Sequence, residues 1–342
     1  MSEVVGSARA PVNIALVKYW GKRDERLNIP AAGSLSVTLA DLEAHTTVAF
    51  DPALTDDLFH LNGARVQAPA ALAKVARVLD GVRRATGMGF KARVDSVNTF
   101  PTGAGIASSA AGLAALALAA TRAAGWSPSP QEVSVLARLG SGSASRSIHG
   151  GFVEWYPGER ADGSDSYAES IAGLTHWPLS VGIFVVDPGP KWVPSTRGMA
   201  ETARTSPYYT AWLAAVEEDL PIARSAILER DFSGLEKVSE RSCLAMHAAM
   251  IAARPSLRYW RSGTLALLDA LDRIRSEGAR AFYTIDAGPN VKVFTPPGDP
   301  DGVLDRLSET PCVVHTLRSE PGSGARLVEE GVARVDEEPP SP

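Results

Sequence analysis

The chain of 342 residues has only two cysteines, Cys243 and Cys312. Two thiols cannot form the framework that holds a disulfide-rich fold together, so a reducing, cytoplasmic setting with both thiols buried is expected. Long apolar runs are missing as well. Ala110 to Ala120 comes nearest and falls well short of the ~20 residues that a membrane helix needs. The N-terminus lacks a basic segment followed by an apolar one, so no secretory signal is expected. Basic excess is also absent. The formal net charge is −5, which supplies no bulk field for nucleic acid or for an anionic membrane. Any positive potential that serves an anionic small molecule must therefore be local.

What the chain does have is a run of small residues, Pro101-Thr-Gly103-Ala-Gly105-Ile-Ala107-Ser108-Ser109-Ala-Ala-Gly112, feeding an apolar segment, Leu113 to Ala124. Glycine and alanine let a backbone approach a ligand closely. The first amides of a helix have no internal partner and favour an anion, most often phosphate. No Gly-Lys-Ser/Thr follows, so this is not the usual P-loop. Taken alone, the segment reads equally as a tight-packing device.

The pattern along the chain predicts mixed α and β structure. Short strand-like pieces with a loop between them are expected over residues 4–50, including a strand at Thr46–Phe50. Leu72, Val75, Ala76, Leu79 and Val82 recur at helical spacing and predict an amphipathic helix over 69–86. A strand is expected over 90–97, then a helix over 108–124 ended by Gly125 and Pro128. A short helix over 131–139, a small-residue loop at 140–147 and a strand over 151–156 follow. Val181–Val186 reads as a buried strand stopped by Asp187-Pro-Gly-Pro190. Three helices (208–229, 232–250, 262–276) and three strands (281–285, 290–295, 311–317) complete the pattern. At this length two domains are expected, 1–185 and 186–330, with 331–342 as a flexible, acidic, Pro-rich tail.

Three further segments carry groups suited to chemistry. Ala10-Pro-Val-Asn13-Ile-Ala-Leu-Val-Lys18-Tyr19-Trp20-Gly21-Lys22-Arg23-Asp24 concentrates cations that bind phosphate oxygens through charge-assisted hydrogen bonds. Its plain alternative is a solvated basic edge. Gly140-Ser141-Gly142-Ser143-Ala144-Ser145-Arg146-Ser147 is rich in donors, and its alternative is a flexible surface turn. Tyr283-Thr-Ile-Asp286-Ala-Gly-Pro-Asn290 places a carboxylate at a strand end, where a general base is often held; its alternative is an ordinary turn aspartate.

Taken in order and spacing, these segments resemble the diphosphomevalonate decarboxylases of the GHMP kinase superfamily. The resemblance extends to Ser34-Leu-Ser36-Val-Thr38 and to Ser195-Thr-Arg197-Gly-Met199, and spans about residues 8–320. It implies an α+β chain of GHMP kinase fold: an N-terminal ribosomal-S5-like αβ domain with a left-handed crossover, and a ferredoxin-like C-terminal domain. It also implies ATP and Mg²⁺ as cofactors, with Pro101, Gly103, Gly105, Ala107, Ser108 and Ser109 holding the nucleotide and Mg²⁺ reached through the ATP phosphates and Ser108 or Ser109. Asp286, Lys18, Arg146 and Asn13 are implied as catalytic. Tyr19, Lys22, Ser141, Gly142, Ser143 and Ser195 would line the diphosphate pocket beside Arg146, with Arg197 a further candidate. The partners implied are phosphorylated mevalonate and ATP, with no nucleic acid and no membrane, in a homodimer. The resemblance departs at Ala31-Ala-Gly33, at Ser145 where many relatives have Cys, and at Gly103 where Ala is common.

The implied reaction phosphorylates the tertiary 3-hydroxyl of mevalonate 5-diphosphate, then loses phosphate and CO₂ to give isopentenyl diphosphate. The sequence leaves three alternatives open: a decarboxylase of mevalonate 5-phosphate, a mevalonate 3-kinase without decarboxylation, and a non-catalytic metabolite-binding module on the same fold.

Overall fold

A computed structural model describes residues 4–100, 108–189, 192–329 and 331–332. The elements run β1 (Val4–Val17), β2 (Lys22–Asp24), β3 (Ile29–Pro30), β4 (Ser34–Asp51), β5 (Leu58–Leu61), β6 (Ala64–Arg65), α1 (Pro69–Thr86), β7 (Lys91–Asn98), α2 (Ser108–Ala123) and α3 (Pro130–Gly140). A 3₁₀ helix, Gly142–Ile148, comes next, then β8 (Phe152–Trp155), β9 (Ala168–Ala172), β10 (Ser180–Val185), α4 (Ser195–Thr205), α5 (Tyr209–Glu229), α6 (Phe232–Ile251) and α7 (Ser262–Ser276). The chain closes with β11 (Phe282–Ile285), β12 (Val291–Thr295), α8 (Val303–Ser308), β13 (His315–Ser319) and β14 (Arg326–Leu327).

The first sheet has the order β14-β1-β4-β7-β5-β6, with β8 on the other half of β4 and β9 beyond it. All its pairs are antiparallel except β5 with β7. The long β4 serves two neighbours on one side: Ala44–Asp51 pairs with β7 and Ser34–Val37 pairs with β8. On its other side β1 follows it almost throughout, with register shifts at Pro11/Asn13 and Ala15/Val17. Such irregularities bend a strand and re-aim its side chains, and these two flank Asn13 and lead into Lys18.

The expectation of short pieces over 4–50 is thus corrected to two long strands joined by the β2–β3 hairpin. Pro11 has no N–H to give a ladder, and it sits where the register breaks. Pairing with β4 along nearly the whole strand overrides the local breaker.

Alanine-rich α2 lies on this sheet, with Ala114, Ala115, Ala117, Ala119, Ala120 and Ala123 fully buried against β1, β4 and α1. Small side chains bring helix and strands close, which fixes the start of α2 against the sheet. Gly125 ends the helix in the left-handed region at φ +66°, a conformation that costs glycine little. Helix α3 starts from a reciprocal cap: Ser129 Oγ accepts from Glu132 N at 3.3 Å and Glu132 Oε2 accepts from Ser129 N at 2.8 Å.

The second sheet is antiparallel, in the order β11-β12-β10-β13. Phe282 and Phe294 face one another across β11 and β12 with stacked rings 4.9 Å apart, a cross-strand pair of the kind that adds about 0.5–1.5 kcal/mol beyond burial. Helices α7 and α8 cover its outer side through Leu267, Leu271, Ile274 and Leu304. A continuous core joins the two sheets: Ile14, Leu35 and Val37 of the first pack in one cluster with Val181, Ile183 and Phe294 of the second and Met246 of α6. After β13 the chain returns, and β14 pairs with β1 at Ala8↔Leu327 and Arg9↔Arg326.

Three smaller expectations are corrected. The loop expected at 140–147 is largely the 3₁₀ helix, held by Ser145 Oγ donating to Gly142 O at 2.7 Å and Ser134 Oγ donating to Ser145 O at 3.0 Å. The strand expected over 311–317 starts only at His315, because Pro311 lies in a turn closed by Val313 N donating to Thr310 O at 2.9 Å. Cys243 is buried, but Cys312 is only half-buried. Among the described residues no helix is long and apolar enough to cross a membrane.

Candidate active site

A cavity of 410 Å³ opens where the end of β1, the 3₁₀ helix, the start of α4 and the β11–β12 loop converge. Its lining brings together Asn13, Lys18, Tyr19, Lys22, Ser109, Ser141, Gly142, Ser143, Arg146, Ser195 and Asp286. Pro101, Gly103, Gly105 and Ala107 lie outside the described residues. Ser108 is the first residue of α2. Arg197 lines a neighbouring cavity of 220 Å³ with Asp187, Trp192 and Tyr259.

The centre of the site is a carboxylate between two buried lysines. Lys18 Nζ lies 2.6 Å from Asp286 Oδ1, and Lys292 Nζ lies 3.2 Å from Asp286 Oδ2. Both lysine side chains are 1% exposed, whereas Asp286 is 27% exposed towards the cavity. Burial pushes the Asp286 carboxyl up, but the adjacent Lys18 and Lys292 charges outweigh burial and hold it well below the usual carboxylate range.

The parts of the chain that carry these groups are tied together. Lys18 N donates to Ser242 Oγ of α6 at 3.0 Å, and Thr284 Oγ1 donates to Ala15 O at 3.3 Å. Asn290 Oδ1 accepts from Val186 N at 3.0 Å and Asp187 N at 3.2 Å, anchoring the far end of the Asp286 loop.

Arg146 is 3% exposed. Its Nη1 donates to Ser34 Oγ at 2.6 Å, while Nε and Nη2 both donate to Asn13 Oδ1, at 3.2 and 3.0 Å. The Asn13 amide is set by its own donations from Nδ2 to Ser143 O at 3.0 Å and Ser147 Oγ at 2.8 Å. These partners are neutral, so they orient the guanidinium without cancelling its charge. Burial lowers the Arg146 pKa to about 10, which leaves it cationic at neutral pH.

A second group of cations stands at the other wall. Lys22 on the β2–β3 hairpin shares the lining with Lys74 and Arg77 of α1. Burial lowers the pKa of Lys22 and of Lys74, and the Arg77 charge lowers both further. The hairpin is clamped to α3 by Asn28 Nδ2, which donates to Arg138 O at 3.0 Å and Leu139 O at 2.8 Å. Among the described residues Tyr19 Oη and Arg77 Nε are buried without a hydrogen-bond partner. Three cations that raise one another's cost of ionisation on one wall favour an anion there. Ser195 adds the N-terminus of α4, whose first amides also favour an anion.

Gly142 lets this wall close. A Cβ there would lie 2.7 Å from Tyr19 Oη and 2.7 Å from the Trp155 ring, and those two rings already meet edge-on at 4.8 Å. Gly142→Ala is expected to destabilise the fold by roughly 1–3 kcal/mol through overpacking. Urea unfolding checks this; an unchanged midpoint would mean that the Tyr19 ring moves aside freely.

An apolar cavity of 380 Å³ adjoins the first between α1, α2 and β7. It is lined by Phe59, Leu61, Val75, Val94, Leu113 and Leu116 among others, and it shares Lys74 and Ser109 with the polar cavity. Among the described residues no group of three or more His, Cys, Asp or Glu could hold a metal ion.

Residues 10–168 match the family model of the diphosphomevalonate decarboxylase-like N-terminal domain, and residues 181–328 match that of the mevalonate 5-diphosphate decarboxylase C-terminal domain. The chain belongs to the diphosphomevalonate decarboxylase family. It is 37% identical over 314 residues to the diphosphomevalonate decarboxylase of Candida albicans, a match covering 88% of this chain and 87% of that protein. It also superposes on the mevalonate diphosphate decarboxylase of Staphylococcus aureus with a TM-score of 0.90 and 38% identity, covering 96% of this chain and 99% of the other. A structure of MDDEF in complex with MVAPP, AMPPCP and magnesium superposes with a TM-score of 0.89 and 38% identity, covering 96% and 100%. The expected α+β class of GHMP type is the class found.

Three cations in or beside this cavity escape a sequence reading that follows the motifs. Lys74 and Arg77 lie on the polar side of α1, whose apolar stripe alone draws attention. Lys292 stands in the strand Val-Lys-Val-Phe-Thr, buried at every position. A lysine inside a mainly apolar strand is the available signal, since buried lysines require a partner.

Proposed function

We propose that this chain catalyses the ATP-dependent decarboxylation of mevalonate 5-diphosphate to isopentenyl diphosphate, releasing ADP, phosphate and CO₂, as a step of the mevalonate route to isoprenoids. The observation that carries this reading is the pair of adjoining cavities. One is apolar and suited to a nucleotide base. The other is polar, cationic and centred on a carboxylate between two lysines, and the two meet at Lys74 and Ser109. A nucleotide spanning them would bring its phosphates past the start of α2 towards Asp286.

In this reading Lys22, Tyr19, Ser141, Ser143 and Ser195 hold the 5-diphosphate, and Arg146 holds the substrate carboxylate with its planar fork. Asp286 accepts a hydrogen bond from the 3-hydroxyl and aims its oxygen at the γ-phosphoryl group. Flanked by two ammonium groups, it is a weak base. A loose phosphoryl-transfer transition state asks little prior deprotonation of the nucleophile, so positioning does most of the work. Lys18 stabilises the charge that develops at the reacting oxygens. Once the 3-oxygen bears phosphate, the C3–O bond breaks, the C1–C2 bonding electrons form the C2=C3 double bond, and C1 leaves as CO₂. Cationic walls hold the departing phosphate.

Mg²⁺ would neutralise phosphate charge when bound. The donors here suit its arrival with the nucleotide, through phosphate oxygens and Ser109 or Ser108, because Mg²⁺ keeps waters and phosphates in preference to an all-protein cage. The two free thiols suit a reducing cytoplasm, and a homodimer completes the reading.

Lys22→Met is expected to raise KM for the 5-diphosphate roughly 10-fold or more, and to raise KM for the 5-monophosphate less. The lost interaction is made in ground and transition states alike, so kcat should change less than KM. Steady-state kinetics with both substrates check this, and equal effects would remove Lys22 from the terminal phosphate. The reading as a whole is tested by offering the purified protein ATP, Mg²⁺ and, in parallel, mevalonate, its 5-phosphate and its 5-diphosphate. ADP and CO₂ formed together from the 5-diphosphate alone support it. ADP without CO₂ would indicate a 3-kinase, and turnover of the 5-phosphate alone a different decarboxylase.

A further inference from the structure

We propose that Lys292 is a positioning residue of this reaction, holding the second oxygen of Asp286 so that the carboxylate keeps one orientation towards the substrate hydroxyl. The inference rests on the decarboxylase reading and deepens it. Lys292 Nζ contacts Asp286 Oδ2 at 3.2 Å and donates to Asn290 O at 3.3 Å. It thereby touches both ends of the loop that joins β11 to β12. Its backbone lies opposite Thr284 in the register, beside the strand that Asp286 follows. Lys18 reaches the same carboxylate from β1, at the other oxygen. A carboxylate bonded at one oxygen swings about its Cβ–Cγ bond, and one bonded at both oxygens does not. The second contact therefore fixes the plane in which the hydroxyl must approach.

The charge arithmetic points the same way. Two ammonium groups and one carboxylate leave the cluster at +1, beside the phosphoryl group to be transferred. The other groups that face Asp286 are the Arg146 guanidinium from the 3₁₀ helix and, from α6, Cys243 and His247. The His247 ring is kept neutral by burial, with its pKa pushed down to about 3, and burial pushes the Cys243 thiol up. Lys18 and Lys292 are the two side chains among these that pair directly with the carboxylate.

The test compares the wild type with Lys292→Met, which keeps an unbranched chain one atom shorter and removes the charge, and with Lys292→Gln, which keeps a donor. Lys292→Met is expected to lower kcat for the 5-diphosphate by about 10²-fold, the scale of a misplaced reacting group, with KM much less affected. Removing one cation raises the Asp286 pKa, so the acid limb of the kcat profile should move to higher pH in Lys292→Met and less far in Lys292→Gln. A merely structural lysine would cost stability and the fraction of folded enzyme, with kcat per folded enzyme close to that of the wild type in both variants, and that result would overturn the proposal. The carboxyl ¹³C resonance of Asp286, assigned with Asp286→Asn, gives a readout independent of turnover. A higher titration midpoint in either variant than in the wild type supports the assignment, and identical midpoints reject it. A wild type inactive on the 5-diphosphate would reject the functional reading while this titration still judged Lys292.

Discussion

Asp286→Asn is expected to lower kcat by at least ~10²-fold, the lower range for losing an acid–base or hydroxyl-orienting group, while nucleotide affinity stays close to that of the parent. The substitution preserves shape and removes the charge that Lys18 and Lys292 surround at 2.6 and 3.2 Å. Two effects then act together. In the proposed reading the amide places an NH₂ where an ionised oxygen accepts the 3-hydroxyl, and two buried lysines lose their counter-charge. In the parent the carboxyl is held well below the usual carboxylate range by those lysines, against the opposing effect of burial. Activity should therefore fall only below about pH 4 through this group, the ordinary carboxylate value being an upper limit for its midpoint. Steady-state kinetics together with binding of a fluorescent ATP analogue check both halves. A near-parental kcat would remove Asp286 from the chemical step.

Arg146→Lys is expected to lower kcat/KM by about 10²-fold or more, because the fork is lost although the charge is kept. Arg146 uses three nitrogens at once, on Ser34 Oγ and on Asn13 Oδ1. Lysine has a single nitrogen and cannot hold both partners while facing the cavity. The defect should appear with the mevalonate substrate and leave the ATP analogue bound as before, since Arg146 lines the polar cavity and not the apolar one. A collapse of nucleotide affinity with substrate affinity intact would mean that the two cavities have been assigned the wrong way round.

The outcome for these residues shows which parts of the molecule are legible in its sequence. Asn13, Lys18, Arg146 and Asp286 are spread over most of the chain, and only the ordered resemblance of several motifs links them. The structure then brings all four to one cavity. Helices with a clear apolar stripe and strong end signals, such as α1 and α3, are readable from spacing, Pro130 and the Ser129–Glu132 pair. Elements created by tertiary pairing are not. The single long strand β1 reads as short pieces because local sequence carries no information about the partner strand β4. The 3₁₀ helix hides for another reason: Gly, Ser and Ala show no apolar period, yet most of it is buried. Helix α4 buries only Gly198, Met199 and Thr202 and has no side-chain cap, so its helical signal is weak. Lys292 is hidden by its neighbours, since a Val/Phe strand looks complete as core.

The most direct test of the account is the stoichiometry of one turnover. Enzyme in excess over mevalonate 5-diphosphate, with ATP and Mg²⁺, should release ADP, phosphate and CO₂ in equal amounts, and Asp286→Asn should slow all three together. ADP formed from the 5-diphosphate without CO₂, or CO₂ released without ADP, would contradict the account.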